Sequence, residues 1–126
     1  MNRICALTVW DRDQIDISGD IGELAALGIE CRSVPLHHSQ DAARIASVLA
    51  DADFVVAGSE RYDGETLPRL PKLKLIVRFG VGYDSVDLAA AENCGVAVCN
   101  LPGANAEAVA EHALGMMLAV PHRLPQ

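Results

Sequence analysis

Two short loops carry the residue types best suited to chemistry. The first is Arg78-Phe79-Gly80-Val81-Gly82-Tyr83-Asp84, which follows the apolar run Leu75-Ile76-Val77. Two glycines separated by one residue can leave successive backbone N–H groups bare and aimed into one space. Such a nest at the carboxyl end of a strand binds anions, helped by the positive end of a following helix. The second loop, Asn100-Leu101-Pro102-Gly103-Ala104-Asn105, leads into a long apolar segment. Asn105 is placed to cap that segment as a helix, its side-chain oxygen taking an N–H of the first turn. Two such loops at one sheet edge make a small-molecule site.

Other groups are less telling. Arg78 is either a catalytic cation or a brace that ties the loop through carbonyls. Asp84 reads as a loop or cap residue. Ser59 and Arg61, in Gly58-Ser59-Glu60-Arg61, fall after a strand where doubly wound sheets bind ligands, and are candidates for a substrate's polar tail. Glu111 and His112 are adjacent on a helix, about 100° apart, and cannot work as a pair. His37 and His38 have only Asp41 nearby and read as loop histidines rather than metal ligands. Gly80-Val81-Gly82 does not open a dinucleotide fingerprint. The third glycine would fall at Ser85, and the acidic residue expected about twenty positions on would fall near Asn100.

Short apolar strands must position these loops. Ile4–Val9 is a continuous apolar run without alternation and reads as a strand covered on both faces, and Ile29–Val34, Asp53–Ala57, Leu75–Val77 and Val96–Cys99 read as four further short strands. Helices are expected between them. One carries Ile21, Leu24, Ala25 and Leu27 and stops at Gly28. A second opens at Ser39 or Gln40, a short helical passage spans Leu67–Leu73, and a third helix runs around Asp87–Asn93 to Gly95. The last begins near Asn105 and ends or kinks at Pro121. Alternating strands and helices predict an α/β fold: a flavodoxin-like, doubly wound, three-layer structure on a five-stranded parallel sheet, order 2-1-3-4-5. The intervening loops read as short and polar.

The run R-x-G-V-G-x-D-x-V-D-L, followed by G-V-x-V-x-N-x-P-G-A-N-x-E-A-V-A-E-H, resembles the N-terminal half of NAD-dependent D-isomer-specific 2-hydroxyacid dehydrogenases, a family that includes phosphoglycerate dehydrogenase-like and glyoxylate/hydroxypyruvate reductase-like enzymes. The motifs cover about residues 70–125, and residues 1–69 match in architecture. The resemblance implies that Gly80, Val81 and Gly82 hold a substrate carboxylate, and that Asn105, Ala108 and Val109 lie beside the nicotinamide of NAD (or NADP). It implies hydride transfer between nicotinamide and C2 of a small D-2-hydroxy or 2-oxo acid. The family's nucleotide fingerprint and its catalytic Arg, Glu and His fall beyond Gln126, so no catalytic residue is assigned here and the chain alone is expected to be inactive. Residues 1–104 correspond to a substrate-binding segment, and residues 105–126 to a helix leading toward a nucleotide-binding domain.

Two other functions share this fold. Some family members act as NAD-responsive corepressors without catalysis, and nothing in residues 1–126 separates that reading. A phosphoacceptor signalling domain would share the sheet order, and Asp11 and Asp13 fit it superficially. However, the third strand ends Val56-Ala57-Gly58-Ser59 without an acceptor Asp, and the fifth ends Cys99-Asn100 without a Lys.

Composition narrows the partners. A net charge of −7 with no basic run argues against nucleic acid and anionic membranes. The 51% hydrophobic content suits a packed domain, and no apolar run approaches the about 20 residues a bilayer span needs. Cys5, Cys31, Cys94 and Cys99 lack metal-site spacing and read as reduced core thiols of a cytoplasmic protein. The final segment, with Val109, Leu114, Met116, Met117, Leu118 and Val120, is apolar nearly all round. It is expected to seek burial through homodimer contacts or against a further domain.

Overall fold

Five parallel strands form one sheet in the order β2-β1-β3-β4-β5. The computed structural model describes residues 3–9, 18–34, 36 and 39–122. In chain order these are β1 (Arg3–Leu7), α1 (Ser18–Ala26), β2 (Ile29–Ser33), α2 (Ala42–Leu49), β3 (Phe54–Ala57), a 3-10 turn at Leu67–Arg69, β4 (Leu75–Arg78), α3 (Leu88–Asn93), β5 (Ala97–Cys99) and α4 (Ala106–His122). The expected strand order and parallel pairing are both present. Asp11, Asp13, His37 and His38 lie outside the described residues.

The register sorts side chains cleanly between the two sheet faces. Ala6, Val55, Ile76 and Val98 stand in one row across four strands. This row belongs to the main core, with Ile45 and Leu49 of α2, Leu67 of the 3-10 turn and Ala91 of α3. Side chains one position along a strand point to the other face. There α1 supplies Leu24, which lines an apolar cavity of about 260 Å³ with Phe54, Val56, Leu75 and Val77.

Several local expectations shift, each for a physical reason. The helix start predicted at Ser39 or Gln40 is made instead by Asp41, whose carboxylate accepts from the N–H groups of Ala43 (2.9 Å) and Arg44 (3.3 Å). A carboxylate also suits the positive end of the helix. The α1 stripe is only half-buried at Ile21 and Leu24, and Leu27 is 75% exposed because it sits past the helix end, in the turn closed by Gly28 at φ 75°. The last helix is described as far as His122, one residue past the stop expected at Pro121. Of the four free cysteines, Cys94 and Cys99 are exposed rather than core thiols. Cys5 is buried, and that burial pushes its thiol up to about 11, with Cys31 on the neighbouring strand adding to the shift.

The loop from Gly58 to Thr66 is not simply polar and solvated. Gly58, Glu60, Tyr62 and Thr66 are all buried in it. Tyr62 forms a parallel bridge with Val86, so this loop is tied directly to the one after β4.

Ile45 is fully buried at the centre of the main core. Ile45→Ala is expected to lower unfolding stability by about 2–5 kcal/mol. Urea denaturation followed by circular dichroism measures it; a loss below 1 kcal/mol would show that α2 is not seated in the core.

Candidate functional site

All strands being parallel, the loops after β3, β4 and β5 emerge at one edge of the sheet, where ligands of doubly wound folds bind. Arg78, the last residue of β4, organises that edge. Its Nη1 donates to the carbonyls of Ala57 (2.8 Å) and Gly58, and its Nε donates to the carbonyl of Gly82 (3.1 Å). The guanidinium thus clamps the end of β3 to the glycine loop. Of the two roles the sequence left open for Arg78, the brace is the one its hydrogen bonds display.

The loop after β4 has its acceptors occupied and its donors bare. Gly80 C=O accepts from Leu101 N–H (3.0 Å), Val81 C=O from Asn100 Nδ2 (2.7 Å), and Gly82 C=O from Arg78. Gly80 N–H donates to Arg78 C=O (3.0 Å). Among the described residues, the N–H groups of Val81 and Gly82 have no acceptor, and both residues are exposed. With those carbonyls taken, the unpaired amides are the loop's free main-chain donors, the arrangement of an anion-binding nest. The two glycines are not equivalent. Gly80 has φ +152°, whereas Gly82 shows no positive φ, and a Cβ there would meet only Asp84 Oδ2 at 3.4 Å.

Asn100 is the residue that sequence reasoning missed. Its amide and the Leu101 N–H latch the β5 loop onto the glycine loop, bringing the two expected loops together. Its place at a strand end was the only signal. The first turn of α4 is closed by backbone bonds, Ala106 N–H to Gly103 C=O (3.1 Å) and Val109 N–H to Asn105 C=O (3.0 Å), and no side-chain bond from Asn105 to that turn occurs among the described residues. Asn105, Ala108 and Val109 share one helix side by their i, i+3, i+4 spacing, and all are exposed.

A buried polar cluster backs the site. The Thr8 hydroxyl, just past β1, lies 3.1 Å from Glu60 Oε2 and accepts from Gly58 N–H (3.2 Å). Tyr62 lies in the same cluster, and burial pushes its phenol well above the ordinary range, with Glu60 adding to that shift. Ser59 and Arg61 are exposed: Ser59 C=O accepts from Gln40 Nε2 (3.1 Å), and Arg61 pairs with Asp63 at 2.9 Å. Hydrogen bonds from Thr66 and Glu65 N–H, together with Arg61, hold the Asp63 carboxyl below the usual carboxylate range. Arg61 is thus already partnered, and it reaches a substrate tail only by sharing that charge. Asp84 and His112 are exposed, and no group of three or more metal-ligating side chains occurs among the described residues.

The β4–α3 junction does not make a pyrophosphate site. Nine residues separate Arg78, the end of β4, from Leu88, and the isolated bridge at Val86 intervenes before the helix starts. What this edge leaves open is the pair of unpaired amides at Val81 and Gly82 and the exposed first turn of α4.

The D-isomer specific 2-hydroxyacid dehydrogenase catalytic-domain model matches residues 13–116. The chain belongs to that family. A D-3-phosphoglycerate dehydrogenase of Mycobacterium tuberculosis is 39% identical over 105 residues, covering 81% of this chain and 19% of that protein. A glyoxylate reductase of Thermococcus litoralis is 39% identical over 71 residues, covering 56% of this chain and 22% of that protein. In structure, the NAD+-bound 3-phosphoglycerate dehydrogenase of Entamoeba histolytica superposes with TM-score 0.78 at 27% identity, over 94% of this chain and 39% of that one. The chain therefore spans roughly a fifth to two fifths of the length of these relatives.

The unlike backbone at the two glycines gives a direct check. Gly80→Ala is expected to cost about 1–3 kcal/mol of stability because an L side chain is strained at that φ. Gly82→Ala should stay within about 0.5 kcal/mol, as for an exposed unstrained site. Paired urea unfolding curves test this, and equal losses would contradict the described loop.

Proposed function

We propose that this chain is the substrate-binding part of an NAD-dependent dehydrogenase acting on a small D-2-hydroxy or 2-oxo acid, and that it is inactive by itself. The observation that carries the proposal is the pair of bare amides at Val81 and Gly82 in a loop whose carbonyls are occupied. The substrate carboxylate takes those two donors and so fixes the molecule's orientation. Arg78 holds the loop in the receptive shape, and Ser59 and Arg61 flank the far side for the substrate's polar tail.

Hydride transfer between nicotinamide and the substrate's C2 is the chemistry the cofactor supplies when bound. Here the exposed turn with Asn105, Ala108 and Val109 fits the edge of a flat ring, with Val109 58% exposed and free to pack against it. Nothing at the β4–α3 junction fits the cofactor's pyrophosphate. Residues 1–104 on this reading form the substrate-binding segment, and α4 leads to the nucleotide-binding part. A soluble, cytoplasmic setting suits the reduced thiols, and no helix among the described residues is long and apolar enough to cross a membrane. Self-association through α4 completes the proposal, because its large apolar side chains are exposed.

Two substitutions separate the roles in a full-length protein carrying this segment. Gly82→Val keeps the main-chain N–H, but its branched side chain should crowd the carboxylate away from the two amides and raise KM for the 2-oxo acid by at least about tenfold, the worth of one hydrogen bond to a charged group, with KM for NADH little changed. Val109→Trp should do the reverse. Steady-state kinetics at 340 nm reads both. Unchanged KM for the acid in Gly82→Val would reject the nest, and equal effects on both ligands in Val109→Trp would reject the nicotinamide contact.

A further inference from the structure

Glu60 occupies an unusual place for a carboxylate. It lies in the loop after β3 between the exposed residues Ser59 and Arg61, yet it is only 1% exposed. Gly58, Glu60 and Tyr62 are buried while their neighbours face solvent, the alternation of an extended chain. Both flanks are fastened, Arg61 N–H donating to Ser39 C=O (3.4 Å) and Tyr62 N–H to Ser85 C=O (2.8 Å). Glu60 is thus held away from water, where a carboxylate costs stability unless donors or a cation compensate it.

The partners of Glu60 lead to the glycine loop. Thr8 Oγ1 lies 3.1 Å from Glu60 Oε2 and 3.2 Å from Val56 C=O, and it has one proton to give. The carboxylate is the stronger acceptor and takes it. Thr8 Oγ1 in turn accepts from Gly58 N–H (3.2 Å). That N–H belongs to the peptide unit between Ala57 and Gly58, whose carbonyl accepts from Arg78 Nη1 (2.8 Å). Arg78 Nε then donates to Gly82 C=O (3.1 Å). One chain of hydrogen bonds therefore runs from Glu60 through Thr8, the Ala57–Gly58 peptide and Arg78 to Gly82, and each bond polarises the next. Among the described residues no ion pair joins Glu60 to Arg78, so this chain is their link. The two charges are nonetheless near each other. Burial raises the Tyr62 phenol, Glu60 raises it further and Arg78 lowers it, so both charges act on that one hydroxyl.

We propose that Glu60 is a positioning residue for the carboxylate site: acting through Thr8 and the Ala57–Gly58 peptide, it fixes the Arg78 guanidinium and with it the unpaired amides of Val81 and Gly82. This role rests on the reading of those amides as the substrate's anchor. It assigns a task to a buried charge that touches no part of the nest itself.

NMR on the isotope-labelled chain tests the relay with and without ligand. Glu60→Gln keeps the shape and loses the charge, and Thr8→Val removes the relaying hydroxyl. In each, the Arg78 Nε–H should exchange with water at least about tenfold faster, and D-glycerate should bind at least about tenfold more weakly, the worth of one hydrogen bond to a charged group. Thr8→Ser restores the hydroxyl and should return both readings close to wild type. Ile45→Ala weakens the core without removing any bond of the relay and should also leave both near wild type, which separates positioning from loss of stability. Should either Glu60→Gln or Thr8→Val fail to fold, the other decides. Unchanged Arg78 exchange in the folded variants would overturn the proposal. So would tighter glycerate binding in Glu60→Gln, the mark of a charge that merely repels the ligand, or equal losses in Ile45→Ala. A wild type whose residues 81 and 82 ignore glycerate would instead overturn the substrate reading, and the ligand-free Arg78 exchange would still decide whether Glu60 sets the loop.

Discussion

The structure depends on how one guanidinium disposes of three carbonyls. Arg78 sits where β4 leaves the sheet, and its bonds to Ala57, Gly58 and Gly82 fix the β3 and β4 loops relative to each other. Once Gly82 C=O, Val81 C=O and Gly80 C=O are taken by Arg78, Asn100 and Leu101, the loop's polarity is decided. The acceptors face the protein and the donors at Val81 and Gly82 face solvent. An arginine does this better than a lysine, since its planar fork presents several donors in fixed directions. The parallel register contributes the rest by bringing the strand ends to one edge.

The site is therefore a matter of main chain more than of side chains. One described acid, Asp84, stands beside the glycine loop, its Oδ2 3.4 Å from where a Cβ on Gly82 would lie, and the buried carboxylate of Glu60 is turned to Thr8. A Cβ at Gly58 would lie 2.9 Å from Glu60 Oε1, so a side chain there would make the buried Glu60 carboxylate shift. Packing that close supplies rigidity, and rigidity matters because a two-donor anion site holds its ligand only if the donors stay parallel.

Much of this was legible in the residues. Continuous apolar runs gave parallel strands and their order, because a strand buried on both faces needs no alternation. Gly28 and Gly95 marked helix ends, and both take positive φ. The glycine loop announced itself by spacing, yet spacing treated Gly80 and Gly82 alike, and only the backbone separates them. Glu60 and Tyr62 were unreadable as buried groups because their burial comes from packing against residues far along the chain, Thr8 and Val86. Asp41 outcompeted Ser39 and Gln40 as a cap for a local reason, its carboxylate reaching two amides at once.

Amide shifts in the isotope-labelled chain, followed by NMR as D-glycerate and its neutral amide are titrated in turn, test the central claim most directly. The account predicts that the carboxylate moves Val81 and Gly82 N–H most, while the neutral amide leaves them nearly unmoved. Equal shifts with both compounds, or carboxylate-dependent shifts at other loops with residues 81 and 82 silent, would contradict it.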